Sequence, residues 1–469
     1  MWQHSAPAPN WASTTVHRTS CPTAAGVFSE GHSFMPARRT VLPKVAAIGS
    51  VGVRLRSFTH PAEVVWILLV IVIPLSAGQP RAAPFMSSLL SLPGLLELAL
   101  VLASGLSVAW IARKSPIQLV RRLRSPWILP LAAYYGLGLL SAVFSQFPLY
   151  ALAFSAEASI GLLLSIAVFG GLTDRPHRSS LYPLYFVAGL FCAEAAISWI
   201  LVPGSAWIVD TRGSARLAGA LLHPNQLGFW AALLGLGGVA YGSAATTARR
   251  RVVPLMMLGL AIPVLIATRS RTDLLGLAVG TLVLLILGRR WKWIAAGTAG
   301  ILVGIAALPG LALRAFAYVN RGPQAPLLAG RLAIWKYVLL HSLSSWKGVL
   351  LGEGIGTSSR VLRRAVARWP FPSHAHNLLV EALNNVGIPG VGLVLASIVS
   401  MGLRIAAIVW RNRSGAAADA AQLAALFILV LTPSLVESSF AGRANSYGFA
   451  YWALAASCYA QPDPGVRPR

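Results

Sequence analysis

Ser373-His374-Ala375-His376-Asn377 opens an apolar run that continues through Leu378-Leu379-Val380-Glu381 to Gly387-Ile388-Pro389-Gly390. An imidazole titrates near neutral pH, so two of them at the mouth of an apolar helix suit proton transfer. The plainer alternative is a helix cap or a headgroup contact. A metal would need further ligands, and no nearby Asp, Cys or third His completes a set. Three other segments carry arginine in tight, helix-breaking surroundings. Arg212-Gly213-Ser214-Ala215-Arg216 precedes His223-Pro224-Asn225-Gln226, and Thr268-Arg269-Ser270-Arg271-Thr272-Asp273 forms a basic turn. Gly330-Arg331 is followed by Trp335 and then by Gly352-Glu353-Gly354-Ile355-Gly356. A guanidinium fork bonds phosphate oxygens in pairs, so these residue types offer anion binding beside a proton acceptor.

The elements that must position them are membrane spans. Of 469 residues, 56% are hydrophobic and only 11% charged. Soluble domains carry about 25% charged residues, which excludes a water-soluble enzyme. The net charge of +26 comes from short basic clusters between apolar runs rather than from a continuous nucleic-acid-binding face. Cys21, Cys192 and Cys458 are too scattered for a disulfide framework or a thiolate metal site.

The expected fold is an all-α polytopic transmembrane bundle of about 12 spans, since each needs roughly 20 apolar residues. The segments lie near 62–78, 93–112, 126–145, 150–172, 181–203, 226–243, 252–268, 272–288, 293–310, 386–410, 420–438 and 445–460. Residues 1–58 read as a disordered cytoplasmic extension, or as an over-long start preceding Met35. Residues 59–310 then hold spans 1–9, 311–376 a long periplasmic loop, 377–460 spans 10–12, and 461–469 a cytoplasmic tail. Alternate loops rich in Arg and Lys, such as those at Arg121-Arg122 and Arg249-Arg250-Arg251, place both termini in the cytoplasm. Arg212, Arg216, Arg269, Arg271 and Arg331 then fall on the outer face against the charge rule. Cations there suggest an anionic ligand, with headgroup snorkelling as the alternative.

The loop 311–376 exceeds ordinary connection lengths, and such loops are usually functional. Its pattern predicts a helix over 331–343, with Leu332, Trp335, Leu339 and Leu343 as its apolar face. A second amphipathic helix is predicted over 360–369, with a row of Arg360, Arg363, Arg364 and Arg368. Asp210, Asp273, Glu353, Glu381 and Glu437 are the outer acids, and Glu381 falls where it can line the same groove as His376 or pair with an Arg. Glu97, Glu157 and Glu194 lie inside spans, either neutral and hydrogen-bonded between helices or on a proton path. That path is the basis of the rival class, a proton-coupled transporter or flippase of lipid-linked oligosaccharide. No repeat of two matching halves supports it.

Taken in order, these motifs resemble those of the O-antigen ligase and Wzy-type polysaccharide polymerase superfamily. The His-Ala-His-Asn segment leading into Gly-Ile-Pro-Gly is the most specific part, and the resemblance covers roughly residues 200–400. It implies a metal-independent, inverting glycosyltransferase of the bacterial inner membrane, with no cofactor. Its donor would be a glycan on undecaprenyl diphosphate and its acceptor a glycan or lipid A-core, joined at the periplasmic face. Carried over to this chain, His376 is the catalytic base. Arg216 and Arg271 hold the donor diphosphate, with Arg212, Arg269 and Arg331 as secondary candidates. His374, Asn377, Asn225 and Glu381 support the site. Mg²⁺-dependent transferases generally hold the ion with carboxylates, yet no Asp-x-Asp occurs here. The expected outcome is undiminished transfer in excess EDTA, measured as glycan joined per minute by purified protein; strict dependence on added Mg²⁺ would contradict a metal-free reaction.

Overall fold

The computed structural model describes residues 60–77, 92–172, 181–209, 214–320, 331–365, 374–411, 417–437, 440–442 and 444–460. The expected N-terminal extension and the C-terminal tail lie outside these residues. Proline sets many helix starts, because its missing N–H is no loss in a first turn. In chain order the helices are α1 (Pro61–Ala77), α2 (Leu92–Lys114), α3 (Pro116–Leu123), α4 (Leu129–Phe144), α5 (Pro148–Phe169), α6 (Tyr182–Leu201) and the single turn α7 (Pro203–Ala206). A two-stranded antiparallel hairpin follows, β1 (Trp207–Val209) on β2 (Ala215–Leu217), with Ile208 opposite Arg216. Then come α8 (Pro224–Ala244), α9 (Ala248–Thr268), α10 (Arg271–Leu287), α11 (Trp291–Ala307) and α12 (Pro309–Asn320). The long loop holds α13 (Arg331–Leu343), α14 (Trp346–Leu350) and α15 (Ser358–Ala365). The chain closes with α16 (Leu378–Arg411), α17 (Ala417–Ser434) and α18 (Ser446–Ala460).

Each of the twelve apolar segments is mainly helical over its described residues. Six helices among the described residues are long and apolar enough to cross a membrane, beginning at Gly94, Pro148, Tyr182, Pro224, Ala248 and Leu378. Four more apolar helices are shorter, among them Leu129–Phe144 and Trp291–Ala307. The all-α expectation needs one amendment, the β1–β2 hairpin. Its strands pair their own backbone groups beside the bundle, which a bare loop there would leave unsatisfied.

Apolar side chains lie on both sides of the helices. α8 and α18 are packed inside, with Phe229, Trp230, Tyr451 and Trp452 fully buried, while Leu106 of α2 and Ile200 of α6 are more than 70% exposed. An apolar exterior of this kind suits lipid, not water. Small residues let helices close up: a Cβ on Gly161 of α5 would stand 2.5 Å from the Trp452 ring. Buried hydroxyls close the remaining backbone gaps. Tyr134 and Tyr135 of α4 donate to the carbonyls of Ala441 and Phe440, each at 2.6 Å, and Trp452 donates to the Tyr135 oxygen at 3.1 Å.

The helix predicted over 331–343 forms there, with three of the four expected apolar residues on its outward side and Trp335 turned inward. Ile334, Val338 and Ser342 are buried, whereas Leu332, Leu339 and Leu343 are exposed. Periodicity locates an apolar stripe without saying whether protein or lipid covers it. Of the second helix, predicted over 360–369, the structure describes Ser358–Ala365, with Val361 and Leu362 buried and Arg360 lying 4.6 Å over the Tyr150 ring; residues 366–369 lie outside the described residues.

The apolar segment near 386–410 belongs to one long α16 broken at Gly387, whose φ of 75° and ψ of −166° no helix contains. A Cβ there would meet the Val349 carbonyl at 2.5 Å, so α14 lies directly against the break. Gly387→Ala is expected to cost about 1–3 kcal/mol through both strain and crowding, seen as a lower Tm of the purified protein. Gly392→Ala on the same helix meets nothing within 4 Å and should leave Tm unchanged or raised.

Candidate functional site

Glu437 follows the end of α17 and is 6% exposed. Three groups from distant parts of the chain converge on it. Arg331, the first residue of α13, forms an ion pair with its Oε1. Asn225, in the first turn of α8, donates to Oε2 at 2.7 Å. His376 holds Nδ1 3.6 Å from that same oxygen, an ion-pair distance longer than a hydrogen bond. Burial opposes ionisation, but His376 and Arg331 outweigh it and hold the Glu437 carboxyl well below the usual carboxylate range.

Asn225 passes the cluster on to Arg216, whose Nη2 donates to its side-chain oxygen. Arg216 stands on β2, is 6% exposed, and also donates from Nε to the Thr268 carbonyl at 2.9 Å. Thr268 ends α9, and Arg269 beyond it takes a left-handed φ of 51° that turns the chain into α10. This turn packs tightly on α8, since a Cβ on Gly228 would lie 2.7 Å from both Ser270 and Asp273. Ser270 donates to the buried Asp273 carboxylate at 2.5 Å. Tyr447 of α18 places its hydroxyl 3.3 Å from both Asp273 and the Asn225 carbonyl.

The histidine segment is gripped from two sides. Trp335 of α13 donates to the Ala375 carbonyl at 2.9 Å, and the Ala375 N–H donates to Glu381 at 2.6 Å. Asn377 caps α16, accepting from Leu379 and Val380 N–H while its amide donates to the Leu435 carbonyl at 2.7 Å. His376 between them has a φ of 54°, and its ring sits 3.9 Å, centroid to centroid, from that of His374.

The structure thus gathers Arg216, Asn225, Arg331 and His376 around one carboxylate, with His374 and Asn377 beside them. Arg271 shares the turn with Ser270; it is half-buried and makes no hydrogen bond or ion pair among the described residues. Arg269 instead stacks on Tyr318 at 3.7 Å. Arg212 lies outside the described residues. Glu381 is buried and holds Ser358 and the Ala375 N–H, beneath the histidine segment. Glu194, within α6, accepts from Ser198 and from the Ala220 N–H, each at 2.8 Å, and so ties down the strand-to-α8 connection. Sequence reading named Glu437 only as one outer acid. The available signal was scarcity, an acid beside a span on a face crowded with arginine. Tyr447 gave no signal at all.

These observations define an integral membrane protein whose helix ends hold guanidinium, imidazole and carboxylate groups in one buried cluster. Residues 256–395 match the Wzy_C family model, described as O-antigen ligase. That stretch contains Arg271, Arg331, His374, His376 and Asn377, whereas Arg216, Asn225 and Glu437 lie outside it. A search of curated proteins finds no match.

Removing one partner of a buried ion pair leaves the other charge uncompensated, so Glu437→Ala is expected to cost about 3–5 kcal/mol. Because the folded carboxyl titrates below the unfolded one, the stabilisation is fully present above about pH 4.3, the ordinary glutamate value. It fades as pH falls through the depressed folded value. The Tm difference between wild type and Glu437→Gln should accordingly stay constant from neutrality down to that range and shrink below it.

Proposed function

We propose that this protein is a membrane glycosyltransferase of the ligase or polymerase type, built on twelve spans. It moves a glycan from an undecaprenyl-diphosphate-linked donor to a sugar acceptor on the periplasmic side of the inner membrane. The observation that carries this reading is the convergence of His376, Arg331 and the Asn225–Arg216 pair on Glu437. An anion site beside a proton acceptor is what transfer from a sugar diphosphate requires.

In the proposed reaction the acceptor hydroxyl oxygen attacks the anomeric carbon while the bond from that carbon to the diphosphate oxygen breaks. The diphosphate leaves with the electron pair, and attack from the opposite side inverts the centre. The hydroxyl proton passes to Nε2 of His376, since Nδ1 faces Glu437. The carboxylate then lies against the imidazolium as it forms, which stabilises its charge and fixes the ring. Charge growing on the leaving diphosphate is met by guanidinium groups in a low-dielectric setting, where such contacts strengthen.

The two principal arginines differ in what remains for a ligand. Among the described residues Arg271 has its whole fork to offer, whereas Arg216 already spends Nε and Nη2 on Thr268 and Asn225. Arg216 therefore supplies field and framework as well as any direct contact.

His376→Ala is expected to lower turnover by about 10²–10⁴-fold with membrane insertion intact. Arg271→Lys loses the paired hydrogen bonds and should raise the donor KM about tenfold or more with little change in Tm. Arg216→Lys should lower both activity and Tm. Transfer by purified protein from lipid-linked oligosaccharide, without any ion gradient, is the assay; full activity of the His376 variant would remove the proposed base.

A further inference from the structure

The outward face of the α13–α14 hairpin carries a stripe of exposed leucines and a tryptophan. Leu332, Leu339, Leu340 and Leu343 are 59%, 41%, 63% and 52% exposed, and Trp346 and Leu350 carry the stripe on at 70% and 52%. Spacings of seven, eight and eleven residues from Leu332 put the leucines on one side of α13. Lys336 is exposed on that same side, and no acid accompanies it. The opposite side is fully engaged, through Ile334 and Val338 against Leu362 and Ala375, Arg331 on Glu437 and Trp335 on the Ala375 carbonyl.

The position of the hairpin along α16 indicates its depth. α16 has 34 residues, about 50 Å at 1.5 Å each, well beyond the roughly 30 Å of a hydrocarbon core. The stretch after Gly387, residues 388–411, covers that core alone at about 36 Å. Gly387 therefore marks the margin of the membrane, and α14 lies with its Val349 carbonyl directly against it.

We infer that the α13–α14 hairpin lies in the headgroup layer of the bilayer, with its leucine face on the acyl chains and Lys336 raised to acidic phospholipid. Trp346 takes the position that tryptophan favours at such a boundary. A second copy of this chain docking by the same face would bury Lys336 against a surface that bears no carboxylate. The placement is independent of the reaction. Its consequence rests on the function proposed above: the helix that meets lipid on one side carries Arg331 on the other, so the membrane itself fixes the depth of the anion site.

The test uses full-length protein in nanodiscs of phosphatidylethanolamine and phosphatidylglycerol. Nitroxide labels are placed at Leu340→Cys, Leu343→Cys and Leu350→Cys in turn. Unsubstituted protein treated alike gives the background from Cys21, Cys192 and Cys458. Expected is a several-fold greater collision rate with oxygen than with a water-soluble nickel chelate at all three positions. Equal or greater nickel accessibility would overturn the inference. So would dipolar broadening between labels on two copies in one disc, which would assign the face to a dimer. Neither readout depends on catalysis, so a failed glycosyl-transfer assay leaves the placement standing.

Discussion

One buried carboxylate governs how this end of the bundle is assembled. Glu437 is nearly sealed from solvent, and an ionised group there is tolerable only while its partners remain in place. Those partners sit at positions 225, 331 and 376, on α8, on α13 and just before α16. Satisfying one charge thus ties together helix ends separated by more than two hundred residues. The bond from Asn225 to Arg216 extends the constraint to β2 and to the end of α9. For the proposed reaction this arrangement is an advantage, because the carboxylate keeps guanidinium and imidazole close together.

Much of this was legible in residue types, and the rest depended on which loops meet. The helices followed from apolar runs, which suffice where every backbone group must bond within its own segment. His376, Arg331, Arg216 and Asn225 stood out because imidazole, guanidinium and a proline-broken turn are conspicuous beside apolar spans. Glu437 did not, since an acid acquires its meaning from the cations folded against it, and these lie far away in sequence. What covers the apolar face of α13 was not legible for a related reason. Hydrophobic periodicity points to a core in a soluble protein, but here Leu332, Leu339 and Leu343 turn outward while Arg331 and Trp335 turn in. In the Thr268–Asp273 turn, two arginines of like appearance part ways, Arg269 to a tyrosine ring and Arg271 to no partner among the described residues. Composition holds nothing that separates them.

The histidine segment shows how strain is held where chemistry is proposed. A left-handed residue other than glycine costs about 1–2 kcal/mol and persists only when its neighbours impose it. Here the Ala375 peptide is bonded at both ends, its carbonyl to Trp335 and its N–H to Glu381. One residue later Asn377 is fixed as the α16 cap and by the Leu435 carbonyl. His376 lies between these two held points, with a φ of 54° and Nδ1 towards Glu437. Glu381 and Asn377 therefore contribute to the proposed chemistry through the backbone rather than through any contact with substrate. The same bonds link the segment to α13, so that whatever sets the depth of that helix also sets the depth of the imidazole.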